Sequence, residues 1–162
     1  MKKRWTASLF VVLLLGGLVT ACFGQAPKST ADIAVVVNPD TPVTDMNLAE
    51  VRKVFLGERQ YWSSKMPVIL LVRAPIARER DVVLRKIYQM SESQFKQFWV
   101  AKIFRSEAVS APKIVYSSDM TNQLLLAVPG SIGFMDAKTV APGLKIVKIE
   151  GRSPGEAGYP LR

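Results

Sequence analysis

The apolar positions of this chain fall into short runs and helical stripes that predict alternating strands and helices. Runs of β-branched and other apolar residues predict strands at 33–37, 68–72, 114–116, 132–135 and 144–149. Helical spacing of apolar residues predicts helices between 47 and 57, from 75 to about 88, from 91 onward, and from 119 to about 128. The order β-α-β-α-α-β-α-β-β predicts an α/β domain, with a mixed central sheet and helices on both of its faces.

Polar residues at the predicted helix starts support this division. Asn47 with Glu50, and Ser91 with Gln94, have the spacing of capping boxes. Ser118 is predicted to cap the helix that Asp119 begins, and Gly57 suits a left-handed helix end.

The first residues have the layout of an export signal. A basic start at 2–4 precedes an apolar stretch from 9 to 19, and small residues follow. The segment 19–22 resembles a bacterial lipobox, which would make Cys22 the lipidated residue and place the domain in the periplasm, anchored to the membrane. A soluble secreted form and a retained membrane helix are the alternatives. We therefore divide the chain into a signal at 1–22, a tether at 23–32, a domain at 33–150 and a loose tail at 151–162.

Composition excludes several kinds of active site. The 162 residues include no histidine and one cysteine, so histidine-based catalysis, a disulfide framework and a Cys/His metal site are excluded. No glycine-rich phosphate loop is present, and the carboxylates are scattered rather than paired. We predict neither enzyme activity, nor a metal, nor a cofactor.

Basic residues give the chain its candidate chemistry. The net charge is +9, and removing three basic residues with the signal leaves 19 basic against 13 acidic residues, or +6. Arg73 and Arg78 flank the predicted start of a helix, where guanidinium groups and backbone amides near Ala77 could hold an oxyanion. The alternative is a solvated basic helix face that also includes Arg80, Arg85 and Lys86. The aromatic residues lie on predicted helix faces, which favours a core over nucleic-acid binding.

Several motifs together carry a family resemblance. Val54-Phe55-Leu56-Gly57 followed by Trp62, the strand ending at Arg73, and the segment Phe98-Trp99 with Phe104 resemble phosphate-type (type II) periplasmic substrate-binding proteins of ABC transporters. Ser118-Asp119 and the segment 128–134 (VPGSIGF) are similar to further motifs of that family. The resemblance runs from about 33 to 149 and covers mainly one of the family's two lobes.

The resemblance implies a substrate-binding-protein-like lipoprotein that binds phosphate or another oxyanion for an ABC-type import system. The implied partners are an ABC permease or another envelope protein, and the membrane through the lipid anchor. Arg73, Ala77, Arg78 and Ser118 are the implied ligand-binding residues. The hydroxyl residues that the family places after the strand arginine are replaced here by 74–79 (APIARE). The alternative is an envelope interaction or scaffold module on the same fold, without a role in transport.

Overall fold

The computed structural model describes residues 31–108 and 110–162. The predicted signal with Cys22, and the predicted tether up to residue 30, lie outside the described residues. Six strands are present in the described part: β1 Ile33–Val37, β2 Asp45–Met46, β3 Ile69–Arg73, β4 Lys113–Val115, β5 Ser131–Asp136 and β6 Lys145–Ile149. The helices are α1 Leu48–Phe55, α2 Arg78–Val83, α3 Glu92–Phe104 and α4 Ser118–Ala127, with a π-helical turn at Leu84–Tyr88 and a 3₁₀ turn at Ala137–Thr139.

The strands form one mixed sheet in the order β2-β6-β1-β5-β3-β4. β1 pairs antiparallel with both β5 and β6, whereas β3 runs parallel to β4 and to β5, and β2 runs parallel to β6. The start of β1 therefore lies at the same edge of the sheet as the carboxyl ends of the other strands. We call this edge the carboxyl edge, and it is marked by Arg73 of β3, Val115 of β4, Asp136 of β5 and Ile33 of β1.

Apolar side chains cover both faces of this sheet, as predicted. On one face Val35 and Val72 pack with α1, α2, the π-helical turn and α3. On the other face Val36 and Leu71 pack with Leu125 of α4. Strands buried on both faces must be apolar at successive positions, which explains the uninterrupted runs in the sequence.

The two predicted capping boxes are confirmed. Asn47 accepts from the backbone N–H of Glu50, whose carboxylate accepts from the Asn47 N–H, and Ser91 and Gln94 make the same reciprocal pair. Gly57 follows α1 with φ +65, and a Cβ there would lie 2.9 Å from the Trp99 ring. Gly57 thus combines a left-handed backbone with close packing.

Two helix starts differ from the prediction. α2 begins at Arg78 and not at 75, because the Ala77 N–H donates to the Ala74 carbonyl and closes a turn before the helix. The cap of α4 is Ser117 and not Ser118, since the Ser117 hydroxyl accepts from the Met120 N–H and Ser118 is already helical. The helical spacing of apolar residues did not resolve these one- to three-residue shifts.

The predicted loose tail is wrong. Tyr159 and Leu161 are buried, the Tyr159 hydroxyl donates to the Ile33 carbonyl, and the Ile33 N–H donates to the Leu161 carbonyl. The Arg162 guanidinium also pairs with the Asp32 carboxylate at 2.9 Å, so the last predicted tether residues belong to the folded domain. The glycines and prolines of this segment led to the prediction of a loose tail, whereas the two apolar anchors Tyr159 and Leu161 decide its packing.

Candidate functional site

The sequence-predicted site residues all lie near the carboxyl edge of the sheet. Arg73 ends β3, Ala77 and Arg78 follow in the loop and start of α2, and Ser118 begins α4 directly after β4. β3 and β4 are parallel and in register, with Arg73 opposite Val115. The loops that leave these two strands therefore emerge side by side.

Arg73 has the most unusual environment in this region. Arg73 is 8% exposed, and its Nε and Nη1 groups are buried without a hydrogen-bond acceptor among the described residues. The alternation of side chains along β3 places Arg73 on the face of Leu71, which packs under α4. A buried guanidinium normally has a carboxylate or carbonyl partner, since an unpaired buried charge is strongly unfavourable. Because neither donor has an acceptor among the described residues, an oxyanion that reached them would not have to displace an internal hydrogen bond.

The first turn of α4 lies over the same face as Arg73. A Cβ on Gly133 would lie 3.3 Å from Leu71 Cβ and 3.7 Å from Thr121 Cγ2, so β3, β5 and α4 are in close contact here. The Thr121 hydroxyl donates to the Ser117 carbonyl at 2.8 Å, one turn nearer the carboxyl edge. Because α4 has ten residues, its dipole adds positive potential at this start.

The backbone of Arg73 is held by Arg80. Arg80 is 2% exposed, and its Nη1 donates to the Arg73 carbonyl at 2.6 Å. Its Nε and Nη2 donate to the two carboxylate oxygens of Glu92 at 2.8 and 3.0 Å, and its guanidinium lies 4.6 Å from the Phe95 ring centre. Arg80 is thus a buried, paired group and not part of a solvated basic face. Sequence reasoning missed the Glu92 partner, because nothing local relates it to residue 80.

Arg78 has internal partners of its own. Its Nη2 donates to the Ala31 carbonyl at 2.7 Å and lies 3.6 Å from an Asp136 carboxylate oxygen. Its side chain is 42% exposed, so the ion pair is at the surface. An oxyanion would have to compete with these partners for Arg78, whereas it would meet no such competition at Arg73.

The other two predicted site residues, Ala77 and Ser118, have fewer groups available for an oxyanion than the sequence suggested. The Ala77 N–H is used in the turn to Ala74, and Ala77 is the N-cap of a helix of only six residues. Ser118 is half-buried in the first turn of α4, while the neighbouring Ser117 is the cap. Ser117 was not predicted as a site residue. The signal that could have identified it is the Ser117-Ser118 pair immediately after a strand.

The carboxyl edge also contains acidic groups. Glu79 and Asp119 lie in the first turns of α2 and α4, and Asp136 ends β5. Each carboxylate suits a helix start or the neighbouring Arg78, and together they lower the positive potential that Arg73 would otherwise create. Among residues 31–108 and 110–162, no three carboxylate or thiol groups come together in a way that could hold a metal ion.

A depression of about 120 Å³ lies at the opposite edge of the sheet. Its walls include Val54, Gly57, Tyr61, Pro67 and Trp99, and they are mainly apolar. One wall residue, Trp99, has a buried Nε1 donor without a hydrogen-bond partner among the described residues, whereas the buried, unpartnered guanidinium nitrogens are those of Arg73 at the carboxyl edge. No helix in the described part of the chain has both the length and the apolar character needed to cross a membrane.

Solved structures share this architecture. A protein from Clostridium perfringens, thought to be a phosphate ABC transporter substrate-binding protein and solved with bound phosphate, is 17% identical with a TM-score of 0.61, over 76% of this chain and 46% of its own. An ABC-type phosphate transport receptor from Vibrio cholerae is 18% identical with a TM-score of 0.61, over 76% and 48%. A phosphate-binding protein from Stenotrophomonas maltophilia is 14% identical with a TM-score of 0.56, over 76% and 40%.

These similarities show the fold of the chain. It is a mixed α/β fold with a six-stranded sheet that matches periplasmic-binding-protein-like structures. The aligned part of the chain spans less than half the length of each of these proteins. No family model matches the sequence, and no curated protein is similar to it in a sequence search.

Proposed function

We propose that this protein binds phosphate or a similar oxyanion as an extracytoplasmic substrate-binding lipoprotein of an ABC-type import system. One observation carries the proposal: the guanidinium of Arg73 is buried with Nε and Nη1 unpartnered among the described residues. Each of these two donors can give a charge-assisted hydrogen bond to an oxyanion oxygen, which makes arginine well suited to this ligand.

The start of α4 supports the same ligand chemistry. It lies at the carboxyl edge on the face of Arg73, and Ser117 and Ser118 bring hydroxyl groups there. Free helix-start amides and the helix dipole both favour an anion. We place Arg73 and Ser118 in the binding site. Arg78 is a secondary contact of the oxyanion. Ala77, whose N–H donates to the Ala74 carbonyl, shapes the loop that leads from Arg73 to Arg78.

Similarity of fold supports the class of ligand. The proteins from Clostridium perfringens and Vibrio cholerae share the fold and are described as phosphate transport proteins. The export signal at 1–22 and lipidation of Cys22 complete the proposal and would place the domain in the periplasm on a membrane anchor. An ABC permease is the partner that this function requires.

Titration calorimetry of the purified protein with phosphate and with sulfate tests the proposal. We expect binding that is lost in Arg73→Met, because this variant removes the donors but keeps a side chain of similar length. Arg85→Met, which removes an exposed arginine from the π-helical turn, is the matched control and should bind like the wild type. Arg78→Met should weaken binding less than Arg73→Met, since Arg78 already has internal partners.

Absence of heat at millimolar phosphate and sulfate, from protein that circular dichroism shows to be folded, would contradict this function. Equal loss of binding in Arg73→Met and Arg85→Met would indicate general attraction of anions to a basic protein, which also contradicts it.

A second candidate is an envelope interaction module without a transport role. The observation that favours it is that the Ala77 amide and the Arg78 guanidinium both have internal partners, which leaves Arg73 as the main oxyanion donor. Recovery of a stoichiometric envelope protein that Arg73→Met still binds would support this candidate. Phosphate-dependent binding by a permease would favour transport.

A further inference from the structure

Large apolar side chains are exposed at the carboxyl edge. Ile76 is 99% exposed and Tyr116 is 73% exposed, and Met120 is 37% exposed. Ile76 lies in the loop after β3, Tyr116 lies between β4 and α4, and Met120 lies in the first turn of α4. A wholly exposed isoleucine and an exposed tyrosine at the same edge of a sheet are unfavourable in water and are typical of an interaction surface.

Strand pairing brings the loops that contain Ile76 and Tyr116 to adjacent points of the sheet edge. β3 and β4 end in register, and the Ala74 N–H donates to the Val115 carbonyl at 2.9 Å. The loops containing Ile76 and Tyr116 therefore start from adjacent points and project in the same direction from the sheet. We call Ile76, Tyr116 and Met120 the apolar tip.

The N-terminal segment joins the domain at this same edge. Ala31 accepts from Arg78 at 2.7 Å, and Ile33 begins β1 opposite Asp136, the last residue of β5. Cys22 precedes Ala31 by nine residues. A fully extended chain of that length spans at most about 32 Å. A lipid on Cys22 would therefore hold Ala31, and with it the carboxyl edge, within about 32 Å of the bilayer surface, so the apolar tip can reach it.

Charge does not by itself bring this edge to the membrane. Near the apolar tip, Arg73 and Arg78 are accompanied by Glu79, Asp119 and Asp136. Attraction to anionic lipid is therefore weak here, and apolar insertion is the dominant contribution. Tyrosine suits the depth of the lipid headgroups, where its ring is in an apolar layer and its hydroxyl remains hydrated.

We propose that the apolar tip docks on the phospholipid bilayer that holds the lipid anchor, with Ile76 and Tyr116 inserted at the headgroup level. This inference rests on the lipid anchor at Cys22, which belongs to the proposed function. It does not require that Arg73 binds a free oxyanion. A tethered domain meets the bilayer at high effective concentration, so a few apolar side chains suffice for docking.

A site-specific fluorescent label tests the docking. Cys22 is the chain's only cysteine, so a new cysteine is the only free thiol in the lipidated protein. The full-length lipidated variants Ile76→Cys and Phe104→Cys are labelled with an environment-sensitive dye in phosphatidylcholine vesicles. Phe104 is 86% exposed, which makes it a matched control. It is the last residue of α3. Three residues further on, the Glu107 carbonyl accepts from the Gln60 side chain, and the Gln60 carbonyl accepts from the Val68 N–H just before β3, at the edge opposite the carboxyl edge.

We expect the label at 76 to shift to shorter wavelength and to be quenched by nitroxide-labelled lipids, with little change at 104. Neither molar salt nor added phosphatidylglycerol should alter this difference. Equal quenching at both positions, or stronger quenching at 104, would overturn the proposal. Quenching that salt abolishes would indicate adsorption of a basic chain, which also overturns it.

Two further measurements separate the causes of failure. The intact mass of the protein reports the lipid on Cys22, and its absence would remove the premise of docking and the anchored part of the proposed function together. With the lipid present, failure of the label at 76 counts against docking alone, while phosphate titration tests Arg73 independently.

Tyr116→Cys provides a second labelled position in case Ile76→Cys does not fold. A quenching signal that depends on protein density would indicate self-association instead of lipid contact and would overturn the proposal.

Discussion

The Arg80 side chain donates a hydrogen bond from Nη1 to the carbonyl oxygen of Arg73 at 2.6 Å. This contact fixes the backbone of β3 at its end, where the unpaired Arg73 guanidinium begins. The Nε and Nη2 groups of Arg80 donate to the carboxylate of Glu92 in α3. One buried cation therefore connects β3, α2 and α3 at the edge that contains the candidate site.

The first prediction concerns the Arg80–Glu92 pair. Glu92→Gln leaves the Arg80 charge buried with a weaker partner, and we expect it to lower the free energy of unfolding by about 2–3 kcal/mol. Arg80→Met leaves the Arg73 carbonyl without its donor and should destabilise the fold by a similar amount. In a double-mutant cycle measured by urea unfolding, the combined variant should lose less than the sum of the two.

Lys96→Met is the control for this cycle. Lys96 lies 3.8 Å from the same Glu92 carboxylate, but its side chain is 66% exposed. An exposed pair contributes little, so the change should stay within about 0.5 kcal/mol. Full additivity of the Arg80 and Glu92 variants would contradict a coupled buried pair.

The second prediction concerns the stability effect of Arg73. Because two of its buried donors are unpartnered, Arg73→Met should leave the free energy of unfolding unchanged or raise it by about 1 kcal/mol in phosphate-free buffer. Adding phosphate should raise the Tm of the wild type and not that of the variant, since only a ligand that binds the folded state stabilises it. A large loss of stability in Arg73→Met without ligand would show that the guanidinium supports the fold itself.

The third prediction is a loss of stability at alkaline pH. Burial raises the pKa of Tyr88 well above its ordinary value of 10.0, with a smaller opposing effect from Arg80. Burial, and then the charge of Asp32, also raise the pKa of Tyr159. The folded state keeps both phenols protonated after the unfolded chain has begun to ionise, so their contribution is complete below pH 10 and is lost as the pH rises above it.

Urea unfolding between pH 8 and pH 11 measures this effect. Each tyrosine adds up to about 1.4 kcal/mol per pH unit to the slope above pH 10. Tyr88→Phe should make the decline shallower, because it removes one ionisable group from the unfolded state. Tyr116→Phe is the control, since Tyr116 is 73% exposed, and it should leave the slope unchanged. An identical decline in both variants would contradict the role of Tyr88.

The fourth prediction concerns the C-terminal segment. Leu161 is 0% exposed and its carbonyl accepts from the Ile33 N–H, so Leu161→Ala should destabilise the domain by about 2–4 kcal/mol. Leu126→Ala is the control, because Leu126 is 46% exposed, and it should change the free energy of unfolding by less than about 1 kcal/mol. Thermal unfolding followed by circular dichroism distinguishes the two. A change of the same size in both variants would show that Leu161 is not an anchor.

Local sequence signals predicted much of this fold because their causes are local. The capping boxes at Asn47 and Ser91 lie within four residues, and the apolar runs reflect strands with helices on both faces. The two-residue strand β2 is defined only by its pairing with β6, about a hundred residues away in the sequence, so no local pattern predicts it. The packed tail depends in the same way on Tyr159 meeting Ile33.

The sequence pattern predicted where the candidate site residues lie in the fold, and it did not predict how their side chains are paired. The order of the elements brings Arg73 and the start of α4 to one edge, which the sequence pattern indicates. It does not indicate how each guanidinium is paired. Arg78 meets Asp136, and Arg80 meets Glu92, through contacts that only the folded chain creates. That Arg73 has no such partner among the described residues likewise follows from tertiary packing.

The position of β1 between β5 and β6 has a consequence for the order of folding. The first strand of the domain obtains both of its neighbours from the last third of the chain, with Ile33 opposite Asp136 and Val35 opposite Val147. The centre of the sheet cannot close until nearly all of the polypeptide is available, since such distant pairing must overcome a large loop-closure entropy. During synthesis β1 therefore remains without its native neighbours until the last third of the chain has been made, a property that would suit the export in an unfolded state that our proposed function requires.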